Sequence, residues 1–376
     1  MQRRQLGNLE LSTPLLGFGT MRLPLQEDKK TVDFEQVQQM VDCAMENGVN
    51  YFDTAYPYHD GTSEENVGRA LAKYPRDSYI LVDKLPIWAC KEKEDMQKVF
   101  DTQLARCGVD CFDIYLLHAV SHENYDDAER LGAYDFMRRM QAEGKVRYVG
   151  FSFHDSPAFL QRVLASHQWD VAQMQLNYVD WSLQHADEQY RLFTEAGVPL
   201  IVMEPVRGGF LAKLPEAAQA PLRACQPGWS DAAWALRWVA SHPNVRVILS
   251  GMSDLAMMEE NISTLKDAAP LTEGEKSALA AALDELNKVT AVPCTGCRYC
   301  MPCPFGVDIP RIFALYNDYK QHQNQFLVKS MYQRFTPAEN RADQCRRCGA
   351  CVKHCPQHIE IPDRLAEIHA EIQGLE

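Results

Sequence analysis

Four times in the first 200 or so residues, a stretch with helical spacing of apolar positions ends in glycine and a short apolar run follows at once. The junctions are Met45-Glu-Asn-Gly48 before Val49–Asp53, Ala105-Arg-Cys-Gly108 before Cys111–Leu117, Gln141-Ala-Glu-Gly144 before Val146–Phe151, and Thr194-Glu-Ala-Gly197 before Leu200–Met203. Glycine just past a last helical turn adopts left-handed backbone at little cost. Continuous apolar runs of this length suit parallel strands buried on both faces. Further strands are expected at Leu15–Gly17, Ile80–Lys84, Val171–Gln175 and Val245–Ser250, which brings the number to eight. Helices are expected between them at Phe34–Asn47, Glu64–Lys73, Glu92–Cys107, Asp127–Ala142, Pro157–His167, Asp187–Ala196 and Asp231–Ser241. Thr62 with Glu65 reads as a capping box, and Ser156-Pro157 as a cap followed by a first-turn proline. Strict β–α alternation implies a parallel sheet covered by helices. Eight units in about 250 residues predict an α/β fold of the (β/α)8 TIM barrel type. An open doubly wound sheet is the alternative, but no GxGxxG follows the first strand.

The pattern changes near Val289–Pro293, which divides the chain into a barrel at 1–290 and a second domain at 291–376. Helix Glu273–Asn287, with Thr272 and Glu275 as its capping pair, is expected to close the barrel. Beyond the boundary, Ile312, Phe313, Leu315, Tyr316 and Tyr319 have helical spacing within Ile309–His322.

The composition is that of an ordinary globular protein, with 46% hydrophobic and 24% charged residues in 376. No apolar run is long enough to span a bilayer, and Arg3 and Arg4 have no apolar run behind them, so a cytoplasmic protein without a membrane partner is expected. The net charge of −13 argues against a nucleic-acid surface. Of 13 cysteines, Cys43, Cys90, Cys107, Cys111 and Cys225 are scattered and read as core residues, while eight crowd between Cys294 and Cys355. In a reducing compartment, crowded cysteines point to metal rather than disulfides.

The expected strands deliver Asp53, Lys84 and His118 to the C-terminal rim, where barrels of this type carry their sites. Tyr58 follows Asp53 closely. A phenol held near an ammonium is easier to ionise, so Tyr58 beside Lys84 could act as general acid toward a carbonyl oxygen. Asp53 would keep Lys84 charged, and His118 would hydrogen-bond the same oxygen. This set suits hydride delivery to a carbonyl, whose oxygen is protonated as it gains charge.

Phe52-Asp53-Thr54-Ala55-x-x-Tyr58, Lys84 and Leu117-His118, together with Gly17-Phe-Gly-Thr20, Ser63-Glu-Glu-Asn-Val-Gly68 and Gly150-Phe-Ser152, resemble the aldo-keto reductase superfamily over about residues 1 to 290. The resemblance implies a catalytic tetrad of Asp53, Tyr58, Lys84 and His118, a small carbonyl substrate and an NAD(P)H cofactor. For the cofactor it implies Ser152, Gln175, Glu260 and Asn261, with Glu204, Arg207, Gly208, Ser250, Gly251 and Ser253 in the corresponding loops. The sequence also departs from the family. Phe153 stands where asparagine is usual, Met203 where a stacking tyrosine is usual, and Met257 lies in the region of the usual cations. Backbone donors at Gly251–Ser253 and the following helix N-terminus could hold a pyrophosphate. Without cations, preference for the 2′-phosphate of NADP should weaken, unless Arg207 compensates.

The tail reads Cys294-x2-Cys297-x2-Cys300-x2-Cys303-Pro and Cys345-x2-Cys348-x2-Cys351-x3-Cys355-Pro. The second run matches the bacterial four-iron pattern, and the first is one residue short in its last gap. Since the fourth cysteine in two-cluster ferredoxins ligates the other cluster, one [4Fe-4S] cluster is assigned to Cys294, Cys297, Cys300 and Cys355. The other takes Cys345, Cys348, Cys351 and Cys303. Zinc is the rival, but it does not call for a three-cysteine run followed by Cys-Pro. The tail resembles the α-helical ferredoxin type. Three functions are therefore expected in order. The first is a nicotinamide-dependent carbonyl reductase coupled to or stabilised by two clusters, with a ferredoxin-like protein as partner. The second is a cluster-driven reductase holding a flavin or another cofactor. The third is a non-enzymatic redox-sensing or docking protein.

Overall fold

In the computed structural model, residues 1–7, 9–288, 291–322, 325–333 and 336–375 are described. Val289 and Thr290, at the expected boundary, lie outside them. Eight parallel strands close into a barrel: β3 (Leu16–Gly19), β4 (Tyr51–Asp53), β5 (Ile80–Leu85), β6 (Phe112–Val120), β7 (Val146–Phe153), β8 (Val171–Gln175), β9 (Leu200–Met203) and β10 (Val245–Ser250). Neighbours in sequence are neighbours in the sheet, and β10 pairs with β3 to complete the ring. Each of the four helix-ending glycines is left-handed, with φ of 74° at Gly48, 64° at Gly108, 74° at Gly144 and 71° at Gly197. The expected TIM barrel thus forms from the punctuation that predicted it.

An antiparallel hairpin, β1 (Arg3–Gln5) with β2 (Ser12–Pro14), precedes the barrel and was not anticipated. Its Leu6 and Leu11 join an apolar layer of Tyr51, Val82, Ile114, Leu116, Ile201 and Val247. A second layer, including Phe18, Phe52, Phe100, Leu117, Phe151 and Leu200, packs with helix residues such as Val41, Leu71 and Val163. Two local expectations fail. The helix expected over Asp127–Ala142 divides at left-handed Gly132 into Tyr125–Leu131 and Ala133–Ala142. Thr62 makes no cap because its own backbone is already helical and its hydroxyl donates to the His59 carbonyl at 2.8 Å. Ser156 and the Thr272–Glu275 pair do cap their helices.

Packing separates two compact units: Met1–Val206 with Ala233–Leu271, and Arg207–Ala232 with Thr272–Glu376. This grouping differs from the expected division at 290/291. Helix Glu273–Asn287 packs on helix Glu216–Cys225, burying Leu279, Ala282 and Leu286 on one and Ala218 and Leu222 on the other. Both helices fall within the second unit. The second unit has its own core, in which Ile312, Phe313 and Tyr316 of helix Ile309–His322 meet Ile361, Leu365 and Ile368 of helix Ile361–Gly374. Among the described residues no helix is long and apolar enough to cross a membrane.

Candidate functional site

Strands β4 and β5 place Asp53 and Lys84 side by side near their C-terminal ends. The Lys84 ammonium donates to Asp53 Oδ1 at 2.6 Å and to the Thr54 carbonyl at 2.7 Å. Gln173 on β8 donates to Asp53 Oδ2 at 3.3 Å. Both charged groups are buried. Burial pushes the Asp53 carboxyl up while the Lys84 ammonium pulls it back. The Lys84 ammonium lies 5.0 Å from the centre of the Tyr58 ring. That ring meets His118 edge-on at 6.1 Å, so all four members of the expected tetrad converge.

His118 sits where the β6–β7 ladder slips between Leu117 and Val120, with Ala119 left-handed at φ 53°. Such an irregularity re-aims a side chain beside a site. Burial foremost, then Lys84 and His154, holds the His118 imidazole well below its usual pKa, so it is neutral near pH 7. Its buried Nδ1 has no hydrogen-bond partner among the described residues. Trp88 lies 4.9 Å from it and is 53% exposed, which makes Trp88 a wall of the site rather than core. Trp181, the other tryptophan considered for the pocket, packs instead on Trp238 and His242.

Behind the tetrad lies a layer that no motif announces. Thr20 donates to the Asp53 carbonyl at 2.9 Å, and the Ser63 hydroxyl lies 2.9 Å from Thr20 Oγ1 and 3.0 Å from Thr54 Oγ1. Gln103 donates to the Lys84 carbonyl at 3.0 Å and accepts from the Tyr115 hydroxyl at 2.6 Å. Asp83, next to Lys84, is buried beside Glu64, and burial followed by that carboxylate raises its pKa well above the usual range. Glu64 in turn accepts from Arg106 at 2.8 Å. Alternation along β5 would have marked Asp83 as facing away from Lys84, but nothing local pairs it with Glu64.

The residues expected around a cofactor are distributed unevenly. In the first unit, the Ser152 hydroxyl accepts from the Ala119 amide at 2.7 Å, and Gln175 donates to Asp180 at 2.6 Å. Asn261 donates to Ser250 at 3.0 Å, Ser253 to the Arg22 carbonyl at 3.0 Å, and Glu260 is exposed. Exposed Gly251 lies against the Arg22 side chain, whose guanidinium is 3.9 Å from Glu204. Arg22 is therefore a cation at the Gly251–Ser253 loop that comes from the segment after β3 rather than from the one after β10. The Asp254 carboxylate already accepts the Met257 amide at the start of helix Leu255–Leu265. This competes with a phosphate at that helix end and departs from the simple expectation. Phe153 packs among Phe151, Phe159 and Phe193.

Arg207 and Gly208 belong to the second unit. Arg207 is 1% exposed, donates to the Pro293 carbonyl at 3.1 Å and lies over Phe210. Its guanidinium is committed to the tail's own structure, so the compensating phosphate role expected for it has no support here. At Gly208, φ is 65° and an added Cβ would come within 1.9 Å of the Thr295 carbonyl oxygen. Glycine is required there for close approach of two backbones. The residues of the first unit that could hold a nicotinamide dinucleotide are Ser152, Gln175, Ser250–Ser253 and Arg22.

The crowded cysteines form two sets. Cys300 is in electrostatic reach of Cys297, Cys294 and Cys355, and burial together with those thiols pushes it up to about 12. The same four line a shared hollow with Ile309, Phe313 and Pro356. The Gly296 amide points at Cys294 Sγ at 3.4 Å. Cys351 is likewise in reach of Cys345, Cys303 and Cys348, and burial foremost pushes it up to about 11. Each run thus contributes its last cysteine to the other's group. Two sets of four thiols fit thiolate-bound clusters, whose formation releases the protons that burial otherwise retains. Of the scattered cysteines, Cys90 and Cys107 are buried and Cys43, Cys111 and Cys225 are partly so.

Comparison with known proteins adds relatives. The family model described as "Aldo/keto reductase family" matches residues 15–284, and that described as "4Fe-4S dicluster domain" matches residues 293–360. The chain is 25% identical over 308 residues to the uncharacterized oxidoreductase YqkF of Bacillus subtilis, covering 74% of this chain and 95% of that protein. It is 25% identical over 301 residues to L-galactose dehydrogenase of Arabidopsis thaliana, covering 72% and 90%. The holo form of aldo-keto reductase AKR11C1 from Bacillus halodurans superposes with a TM-score of 0.61 at 27% identity, over 75% of this chain and 96% of that one.

Proposed function

The chain belongs to the aldo/keto reductase family and carries a 4Fe-4S dicluster domain C-terminal to its barrel; from that premise we propose that it is a cytoplasmic reductase of small carbonyl compounds that uses NADH or NADPH. The observation that carries this reading is the buried Lys84–Asp53 pair facing Tyr58 and a neutral His118. When bound, the nicotinamide supplies a hydride to the carbonyl carbon. Tyr58 gives its hydroxyl proton to the carbonyl oxygen as negative charge develops there. Lys84 stabilises the phenolate left behind, and Asp53, accepting from the Lys84 side chain at 2.6 Å, holds it in place. Neutral His118 orients the oxygen through a hydrogen bond. Ser152 and Gln175 would hold the nicotinamide end, and Arg22 with Ser250–Ser253 the phosphates.

In the tail, Cys294, Cys297, Cys300 and Cys355 would hold one [4Fe-4S] cluster, and Cys303, Cys345, Cys348 and Cys351 a second, supplying one-electron transfer. Tyr58→Phe should lower carbonyl turnover by about 10²- to 10⁴-fold. Nucleotide binding, read by quenching of tryptophan fluorescence, and iron content should be unchanged. Retained turnover would rule out Tyr58 as the acid. The commitment of Arg207 within the tail favours one alternative, a cluster-driven reductase with a flavin in the barrel. Flavin absorption in anaerobically purified protein would support it; a spectrum with iron–sulfur bands alone would dismiss it.

A further inference from the structure

The chain as a whole is acidic, with a net charge of −13. The stretch Arg341–His358 has the opposite sign: Arg341, Arg346, Arg347 and Lys353 stand against the single carboxylate of Asp343. Arg346, Arg347 and Lys353 flank Cys348 in the sequence. Of the eight crowded cysteines, Cys348 is the one that is exposed. Arg346, Arg347 and Lys353 are exposed with it. Arg347 pairs with Asp363, whereas Arg346 and Lys353 make no ion pair among the described residues. Phe305, two residues from Cys303 of the same thiol set, is 44% exposed. Unpaired cations and an exposed ligand position thus share one short segment, and Phe305 follows a cysteine of the same thiol set.

Resting on the reading that these cysteines hold a cluster, we infer that this face docks an acidic one-electron carrier protein. Cationic groups at an interface rim attract such a partner and align it, with most of the gain in association rate. The exposed Cys348 would place the edge of the metal group at the contact. A cluster held by these cysteines would accept one electron from the reduced carrier, which would be oxidised by one, with no bond formed or broken. A long polyanion fits less well. Nucleic acid binding depends on many phosphate contacts, and the remainder of this chain is even more acidic than its net charge.

The test uses anaerobically prepared holoprotein and an acidic bacterial ferredoxin as probe, with affinity measured by calorimetry at low and at physiological ionic strength. Wild-type binding should weaken with salt. The double reversal R346E/K353E should weaken binding at low salt by about tenfold or more and flatten the salt dependence. If the reversal lowers iron content, the neutral pair R346Q/K353Q is judged by the same criterion. Unchanged affinity in the variant that keeps its iron overturns the proposal. So does wild-type affinity for a duplex oligonucleotide or an anionic vesicle equal to that for ferredoxin. Carbonyl turnover by the same preparation reports separately on the hydride reading, so either can fail alone.

Discussion

Lys84 and Asp53 form a buried ion pair beside Tyr58. Their side chains are 1% and 4% exposed, so neither charge is supported by solvent. Removing one partner leaves the other uncompensated, at about 3–5 kcal/mol. Lys84→Met should therefore lower unfolding stability by that order in denaturant titrations as well as abolish turnover. Asp83 makes a contrasting prediction. Its folded pKa lies above its unfolded one, so the stability it contributes is present at low pH and lost as pH rises through the folded value. Asp83→Asn, already neutral, should gain stability relative to wild type as pH rises from about 4. Melting temperatures across a pH series check the sign, and a difference that shrinks with pH would contradict it. The tetrad could be read from sequence because each member ends a strand and carries distinctive chemistry. Asp83, Ser63 and Gln103 could not, because their roles depend on partners 9 or more residues away that no periodicity links to them.

At the scale of elements, the punctuation that predicted the barrel also explains where prediction stopped. Glycine after a helix announces a left-handed turn wherever it falls. Gly132 was missed because it interrupts an apolar spacing that continues on both sides. Thr62 carries the cap pattern but not the extended backbone that a cap needs. The Thr272–Glu275 box does form, with Thr272 accepting from the Glu275 amide at 3.3 Å. Thr272→Ala should cost about 1 kcal/mol. The effect should appear as earlier loss of helix signal on heating. Gly208 offers a sharper test of packing within the tail unit. Gly208→Ala meets both positive φ and the carbonyl of Thr295, which adjoins Cys294 and lies two residues before Cys297. It should reduce iron and sulfide content per chain, measured chemically after anaerobic purification. Full content would show that the Thr295 segment can shift freely.

For the whole molecule, sequence spacing identified both halves but not how packing apportions the segments between them. The expected division at 290/291 follows composition and motif. Packing instead groups Arg207–Ala232 and Thr272–Asn287 with the tail, and the apolar faces of the two helices in these segments bury each other. That is why Arg207, placed by sequence among cofactor residues, serves the Pro293 backbone. A helix face names its partner only in three dimensions. The cysteine runs were easier, since their exchange of last ligands is inherent in the spacing, and the thiols are grouped accordingly.

Two-electron hydride transfer in the barrel is the central claim, and isotopic labelling tests it most directly. Anaerobic holoprotein is supplied with nicotinamide deuterated at C4 on the transferred face, as NADH and as NADPH, with a small aldehyde in ordinary water. The alcohol should carry one deuterium on its carbinol carbon, detected by mass spectrometry. Alcohol formed with only solvent hydrogen at that carbon would contradict direct transfer and point to single-electron delivery.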